Sequence, residues 1–309
     1  MINKENVKYL IIGNSAGGVG AVEAIREVDK SGGITIVSDE PYPTYSRPMI
    51  SDYLANGCPI DKMLFRPIDF YEKNQVQTAL GRKVIELNTD KRTAKLDDES
   101  TISWKKLLLA TGGSPFIPKM AGISREGFFT FTTLDDAKAI DVFLNKHPER
   151  KVRAVVIGGG LIGVSVTEAL VKRGVEVTII EMMDRILSTI LDETASTLEK
   201  TSLKESGVNI ITGHTVNKVN SNLIGEPISV TLDDGQTISC DMLVVAIGVR
   251  PRTELVINTE LMVNRGIVVN RHMGTSSPDI YACGDVAEAY DFIYNENRLT
   301  PIWPNAYVG

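Results

Sequence analysis

The chain has 309 residues, of which 43% are hydrophobic and 23% are charged, which excludes wholesale disorder and a small disulfide-stapled scaffold. Lys and Arg number 33 against 39 Asp and Glu, a net charge of −6, so no nucleic-acid partner held through phosphate contacts is expected. No apolar run approaches the roughly 20 residues that span a bilayer, so no membrane partner is expected. At about 150 residues per domain, the length predicts two domains.

The cysteines and histidines show no pattern typical of a disulfide framework or a metal site. Cys58, Cys240 and Cys283 lie far apart and form no CxxC pair. No metal-ligand spacing occurs among the histidines His147, His214 and His272. Residues 1–7 are polar and resemble no secretion signal. We therefore expect a cytoplasmic protein without a bound metal.

The first predicted element is an apolar strand over residues 8–12, which stops at the loop Gly13-Asn-Ser-Ala-Gly-Gly18. A helix over residues 19–28 and a second apolar strand over residues 34–37 follow, and this strand ends at Ser38-Asp39-Glu40. Glycines allow a tight turn and a close approach of the backbone to a pyrophosphate, whose charge is favoured at the start of the helix. An acid about 20 residues further on accepts from a ribose hydroxyl. The pattern predicts a dinucleotide site.

The same order of elements returns later in the chain. A strand over residues 152–157 precedes Gly158-Gly-Gly-Leu-Ile-Gly163, and a helix then runs to about Lys172. A further strand over residues 175–180 is followed by Glu181. One glycine-rich loop is weak evidence for a dinucleotide site. Two such loops, each with its own strand, helix and terminal acid, indicate two dinucleotide sites.

The duplication extends beyond the glycine loops. Residues 97–112 align without gaps with residues 233–248, and eight of the sixteen positions are identical. Each copy predicts a β-meander in which an acidic turn leads into an apolar strand. The strand ends in Ala-x-Gly, at Gly112 in the first copy and at Gly248 in the second. The sequence therefore predicts an α/β protein with two nucleotide-binding units of one plan. Two nucleotides held by one chain suggest electron transfer between them.

Two further segments resemble a known family. Tyr281-Ala-Cys-Gly-Asp285 resembles the second flavin motif of the FAD-dependent pyridine nucleotide-disulfide oxidoreductases. Tyr45-Ser-Arg-Pro-Met-Ile-Ser51 resembles the subgroup that contains NADH:rubredoxin reductases, ferredoxin reductases and the flavin domain of nitrite reductases. The resemblance covers essentially the whole chain.

The resemblance implies an α/β fold with two Rossmann-like FAD/NAD(P)-binding domains of three-layer ββα form, the NAD domain being inserted in the FAD domain. It also implies which residues hold each cofactor. The discontinuous FAD-binding domain comprises residues 1–114 plus 249–309, and the NAD-binding domain comprises residues 115–248. The implied FAD-binding residues are Gly13, Ser15, Ala16, Gly17, Gly18, Asp39, Glu40, Arg47, Pro48, Val84, Ala110, Thr111, Gly112, Gly284, Asp285 and Trp303. The implied NAD-binding residues are Gly158, Gly160, Leu161, Ile162, Gly163, Glu181 and Gly248.

The implied activity is that of an FAD-dependent NADH oxidoreductase, a flavoprotein that passes electrons from NADH through FAD to an external acceptor. A small redox protein such as rubredoxin or ferredoxin is the expected partner, and no side chain is expected to act as an acid or base. NADH is preferred over NADPH, because Glu181 would repel a 2′-phosphate and Met182, Met183 and Asp184 follow it, although Arg185 is close in sequence.

Four departures from the family pattern stand out. Ser15 replaces the middle glycine of the first loop, and Arg252 stands in Val249-Arg-Pro-Arg252 where asparagine is usual. Asp52 and Ser165 stand where some relatives have a lysine and a glutamate that pair near the flavin. We expect these two exchanges to tune the flavin edge and the nicotinamide pocket differently.

Two alternative functions remain open at this point. Pro48 stands where one branch of the family has its redox cysteine, but a disulfide or peroxide reductase that uses Cys58 is a rival reading. A slow-turnover flavin- or NAD-binding sensor or interaction module is the other. Relatives continue beyond the position of Gly309 with an interface domain, so we expect a truncated chain whose dimerisation cannot be inferred.

Overall fold

In the computed structural model, which describes residues 4–118, 127–148, 151–220 and 228–308, the first apolar strand runs through the glycine loop into a helix. The strands are β1 (Lys4–Ile12), β2 (Ile34–Ser38), β3 (Val76–Leu80), β4 (Val84–Asn88), β5 (Thr93–Leu96), β6 (Thr101–Leu109), β7 (Gly113–Pro115), β8 (Phe128–Phe129), β9 (Arg153–Ile157), β10 (Glu176–Glu181), β11 (Asn209–Thr212), β12 (Val216–Asn220), β13 (Ile228–Leu232), β14 (Thr237–Cys240), β15 (Met242–Val245), β16 (Val249–Pro251), β17 (Ile267–Val268), β18 (Ile280–Ala282), β19 (Ala287–Asp291) and β20 (Glu296–Arg298).

The α-helices are α1 (Ala16–Val28), α2 (Ile50–Asn56), α3 (Ile60–Met63), α4 (Phe70–Lys73), α5 (Leu134–Asn145), α6 (Leu161–Lys172), α7 (Glu193–Glu205) and α8 (Trp303–Val308). Within the described ranges, no helix combines the length and the hydrophobicity that a bilayer crossing requires.

The chain divides into two compact units, and both are discontinuous. Unit 1 comprises Met1–Ser46, Leu64–Ser114 and Arg250–Gly309, and unit 2 comprises Arg47–Met63 and Pro115–Val249. The segment Arg47–Met63 differs from the boundaries drawn on the sequence, which placed it in the first domain.

Segment Arg47–Met63 belongs to unit 2 because α2 packs against α5 and α6. Arg173 Nη1 donates to the carbonyl oxygen of Leu54 (2.9 Å) and also to a carboxylate oxygen of Asp141 (2.6 Å). Arg47 Nη1 donates to the carbonyl oxygen of Thr132 (3.0 Å). All of these bonds join residues that are distant in sequence.

Unit 1 is built on a parallel sheet with the order β3-β2-β1-β6, and β18 lies beside the second half of β6. Its first strand is longer than the five residues predicted, because β6 pairs with β1 along its whole length. The same sheet continues antiparallel through β5 and β4, and this meander packs against one face of the parallel strands while α1 packs against the other. Successive residues of these strands point to opposite faces of the sheet. Ile11 and Ile36 pack with α1, whereas Leu10 and Val37 pack with the meander.

Unit 2 repeats this architecture. Its parallel sheet has the order β11-β10-β9-β15-β8, and the antiparallel meander β12-β13-β14 covers one face. Val155 and Ile157 of β9 pack with Val219 and Val230 of the meander. The α/β fold class and both β-meanders were predicted from the sequence and are confirmed.

The turn in each meander is also duplicated at the level of single hydrogen bonds. Leu96 N donates to Ser100 O (2.9 Å) in the first copy, and Leu232 N donates to Gln236 O (2.8 Å) in the second. The equivalent residues lie 136 positions apart, the same offset as in the sequence alignment of residues 97–112 with 233–248. The two copies therefore share backbone geometry as well as sequence.

Replacing Gly18 with alanine is expected to destabilise the chain by about 2 kcal/mol, because the added Cβ would overlap the carbonyl oxygen of Gly13. The matched control is Gly33→Ala, where a Cβ meets nothing within 4 Å. Urea unfolding of the two variants and the parent chain measures the difference. Equal stability of the two variants would contradict the close approach.

Candidate functional site

The carboxyl ends of four parallel strands lie side by side in unit 1. The strand register aligns Val37 of β2, Ile12 of β1, Leu109 of β6 and Ala282 of β18 in one row. The loop that begins at Gly13 and the residues that follow the other three strands therefore open at the same end of the sheet. Ligands of open α/β sheets bind at this end.

Gly13 is held tightly between the neighbouring strands. Its N–H donates to Val37 O (2.8 Å), its φ is +124°, and a Cβ would overlap the carbonyl oxygen of Ala110. Ala110 N donates to Ile12 O (2.8 Å). Only glycine meets both conditions at this position, a positive φ and the lack of space.

Gly158 occupies the same position in unit 2. Its N–H donates to Ile180 O (2.8 Å), its φ is +104°, and a Cβ would overlap the carbonyl oxygen of Ala246. Ala246 N donates to Ile157 O (2.8 Å). Both loops thus share hydrogen-bond pattern, backbone conformation and steric constraint.

The start of each helix meets the requirements of a pyrophosphate site. A Cβ on Gly160 would meet nothing within 4 Å, so the middle of this loop faces open space. Ser15, its counterpart, is the N-cap residue of α1 and makes no side-chain capping bond. The first N–H groups of a helix have no partner within the helix and attract anions. These groups belong to Ala16, Gly17, Gly18, Leu161, Ile162 and Gly163.

The two strand-end acids are held by different partners. Asp39 follows β2, and its Oδ2 accepts from Arg252 Nη1 (3.0 Å). Glu181 ends β10, where Oε2 accepts from Gly159 N (2.6 Å) and Oε1 from Met183 N (2.7 Å). Glu181 is therefore oriented by backbone N–H groups beside the second glycine loop, as an acid that accepts from a ribose would need to be.

The remaining residues predicted for FAD occupy three kinds of position. Thr111 and Gly112 follow β6, and Gly284 (φ +71°) and Asp285 form a 3₁₀ turn after β18, so these residues lie at the carboxyl end of the sheet. Glu40 follows Asp39 and accepts from Tyr45 OH (2.6 Å). Val84 instead begins β4, opposite Leu96 of the meander.

Four predicted cofactor residues lie in other surroundings. Arg47 and Pro48 form a 3₁₀ turn that belongs to unit 2, whereas the other residues predicted for FAD belong to unit 1. Trp303 begins α8 in unit 1, and its ring packs edge-to-face on Phe65 with a centroid distance of 5.1 Å. Gly248, predicted for NAD, has φ +117° and open space on its Cβ side.

The sequence did not reveal the network that anchors α8 to α1. Glu23 accepts from Arg66 through both carboxylate oxygens (2.7 and 3.1 Å), and Tyr307 OH donates to the same carboxylate (2.7 Å). Arg66 lowers the pKa of Glu23, and the bond to Tyr307 lowers it further. Helix α8 is thereby fixed beside α1, where the backbone carbonyl group of Tyr307 leaves no room for a Cβ on Gly20.

Two of the three thiols are unsuited to redox chemistry. Burial raises the pKa of Cys240 to about 12 and that of Cys283 to about 12, so neither forms a thiolate readily. Cys240 ends a meander strand, and Cys283 packs against Gly17. Cys58 lies in the loop between α2 and α3 and is partly exposed. All three thiols are unpaired.

The histidines were not expected to bind metal, and one of them forms a hydrogen bond with a carboxylate. His214 Nδ1 lies 2.9 Å from Asp233 Oδ1 and 3.8 Å from Asp234 Oδ2. The three side chains are the one such grouping of possible ligands in the part of the chain that the structure describes, and all are substantially exposed. The bond to His214 lowers the pKa of Asp233.

Taken together, the fold and the two carboxyl-end loops define a protein with two dinucleotide-binding units of one plan. The family model for pyridine nucleotide-disulphide oxidoreductases matches residues 7–307. The chain belongs to this family, as the sequence motifs predicted.

Individual relatives show how far the similarity extends. The chain is 33% identical over 305 residues to the NADH-dependent phenylglyoxylate dehydrogenase subunit epsilon of Aromatoleum evansii, covering 98% of this chain and 70% of that protein. It is 30% identical over 286 residues to the NADH-rubredoxin oxidoreductase of Clostridium acetobutylicum, covering 93% and 69%. Among solved structures, a covalent putidaredoxin reductase–putidaredoxin complex matches with 30% identity and a TM-score of 0.89, covering 98% of this chain and 73% of that one.

The chain is shorter than these relatives. It spans only 37% and 36% of the length of two longer relatives from Bacillus subtilis.

The Glu23 carboxylate is expected to stabilise the chain by about 1 kcal/mol at neutral pH. Because its pKa is lowered in the folded state, this stabilisation is present above the ordinary carboxyl pKa and is lost as the pH falls through the lowered folded value. Urea unfolding of Glu23→Gln and the parent chain at about pH 7 and about pH 3 measures it. The difference between the two stabilities should narrow at the acid pH.

Glu27→Gln is the matched control, because Glu27 is an exposed carboxylate on the same helix. A gap between the Glu23→Gln variant and the parent that persists unchanged in acid would contradict the assignment.

Proposed function

We propose that the chain is an FAD-dependent NADH oxidoreductase that passes electrons from NADH through FAD to a small redox protein. The observation that carries this proposal is the duplicated carboxyl-end site, in which each unit has a constrained glycine loop, a helix start whose first N–H groups have no partner within the helix, and a strand-end acid. Family membership supports FAD and a pyridine nucleotide as the pair of ligands. Bound FAD would accept a hydride from NADH and release the electrons to an acceptor.

The residues of unit 1 fit the FAD dinucleotide. The N–H groups at the start of α1 would bind the pyrophosphate, and the Ser15 hydroxyl, which makes no capping bond, would donate to the same group. Asp39 would accept from the adenosine ribose. Asp285, at the far end of the strand row, would accept from the ribityl chain, as its motif implies.

The residues of unit 2 fit NADH. The N–H groups of Leu161 and Ile162 would bind the pyrophosphate, and Glu181 would accept from the adenosine ribose. A second negative charge beside this carboxylate would be repelled, which supports NADH over NADPH. Arg185, the cation nearest in sequence, pairs with Asp184 (3.1 Å).

A small redox protein as the acceptor is supported by two relatives. One is named for NADH and rubredoxin, and the other is a reductase joined to putidaredoxin. The thiols also favour an external acceptor, because Cys240 and Cys283 are buried with raised pKa values. A cytoplasmic location is part of this proposal and rests on the three unpaired thiols.

Anaerobic titration with NADH tests the flow of electrons. The purified chain is expected to contain FAD and to lose its flavin absorption after one equivalent of NADH, and Cys58→Ser is expected to behave identically. A second equivalent taken up by the parent chain but not by Cys58→Ser would contradict the external route and favour a thiol reductase. A chain that holds no flavin and is not reduced by NADH would favour a binding module.

Reoxidation then identifies the acceptor. The reduced chain is expected to pass electrons to rubredoxin or ferredoxin faster than to dioxygen, followed by stopped-flow absorbance. Reoxidation by dioxygen alone would contradict a redox-protein partner.

Glu181→Ala is expected to raise the KM for NADH about tenfold and to narrow the preference over NADPH, because the ribose acceptor and the repelling charge are both removed. Glu176→Ala is the matched control, since Glu176 is an exposed acid at the opposite end of β10. Steady-state reduction of ferricyanide measures both effects. An unchanged ratio of kcat/KM for the two nucleotides would contradict the role of Glu181.

A further inference from the structure

Arg252 links the ends of two strands in unit 1. Its backbone N donates to Gly112 O (2.9 Å), and its carbonyl oxygen accepts from Thr111 Oγ1 (3.0 Å), so its main chain is fixed at the carboxyl end of β6. Its Nη1 donates to Oδ2 of Asp39 (3.0 Å), which follows β2. The side chain therefore reaches from one strand end to another.

Between these two strand ends, the Arg252 side chain passes the start of the first glycine loop. In the sheet order β2-β1-β6, strand β1 lies between the two anchors, and it ends where residues 13–15 begin. The loop itself, residues 13–18, has no charged side chain. The Arg252 guanidinium is thus a cation held over the end of the strand from which the dinucleotide loop starts.

The ion pair uses one of the three guanidinium nitrogens of Arg252 and one of the two carboxylate oxygens of Asp39. Among the described residues, Nη1 to Oδ2 is the one side-chain bond that either makes. The side chains are 32% and 47% exposed, and an ion pair this exposed stabilises a fold only weakly. Within the described ranges, nothing else bonds to Nε and Nη2 of Arg252 or to Oδ1 of Asp39, so these donors and this acceptor can bind a ligand.

An arginine–aspartate pair with further donors and a further acceptor matches the chemistry of a nucleoside diphosphate. A diphosphate needs donors with positive charge, and an adjacent ribose needs an acceptor for its hydroxyls. The pair offers both side by side, and the Arg252–Asp39 bond can persist while each partner contacts the ligand.

We propose that Arg252 is a further FAD-binding residue, whose guanidinium donates to the diphosphate while it holds Asp39 in place for the adenosine ribose. This inference rests on the proposed binding of FAD. The arginine accordingly serves cofactor affinity and contributes little to the stability of the flavin-free chain.

The test is the dissociation constant for FAD, measured by flavin fluorescence on the full chain after removal of bound flavin. Arg252→Asn is expected to weaken FAD binding about tenfold, and Arg252→Lys, which keeps the charge without the planar fork, should fall between it and the parent. Binding by the parent should weaken more steeply with NaCl than binding by Arg252→Asn, because one ionic contact is lost in the variant.

Arg250→Asn is the matched control, since Arg250 is an exposed arginine of β16, two residues earlier in the chain. It should bind FAD as the parent does, and all the flavin-free variants should unfold at the same temperature as the parent. Unchanged or tighter FAD binding by both Arg252 variants, or an equal loss in Arg250→Asn, would overturn the inference while leaving FAD binding intact. A parent chain that does not bind FAD would overturn both the inference and the proposed cofactor.

Discussion

The close approach of each glycine loop to the carbonyl group at the end of its neighbouring strand is the constraint on which both sites depend. The backbone of Gly13 lies against the carbonyl oxygen of Ala110, and that of Gly158 lies against the carbonyl oxygen of Ala246. With no side chain between them, the turn from strand to helix stays short. The first N–H groups of α1 and α6 consequently open at the carboxyl end of each sheet, where an anionic ligand is favoured.

The two units keep this constraint but differ in the groups around it. Gly160 leaves open space in the second loop, whereas Ser15 adds a hydroxyl at the same place in the first. Glu181 is held by two backbone N–H groups, and Asp39 is held by the guanidinium of Arg252. One backbone plan thus presents different polar groups, as two different dinucleotides require.

The thiols bear on where electrons leave the chain. Burial disfavours the thiolate of Cys240 and of Cys283, and the thiolate is the reactive form. Cys283 has a packing role, since it fills the space beside Gly17. The family takes its name from disulphide chemistry, but in this chain the buried thiols of Cys240 and Cys283 pack in the cores of the two units.

The sequence by itself determined the family, the α/β class, both glycine loops and both meanders, because these features are local and each depends on a few adjacent residues. The eight identities between residues 97–112 and 233–248 were enough to predict a shared turn, which forms with the same hydrogen bonds. Only the tertiary structure decided that segment Arg47–Met63 packs in unit 2, that Arg252 reaches Asp39, and that Tyr307 meets Glu23. Each of these contacts joins residues far apart in the chain, and a single side chain leaves no periodic pattern from which its partner could be predicted.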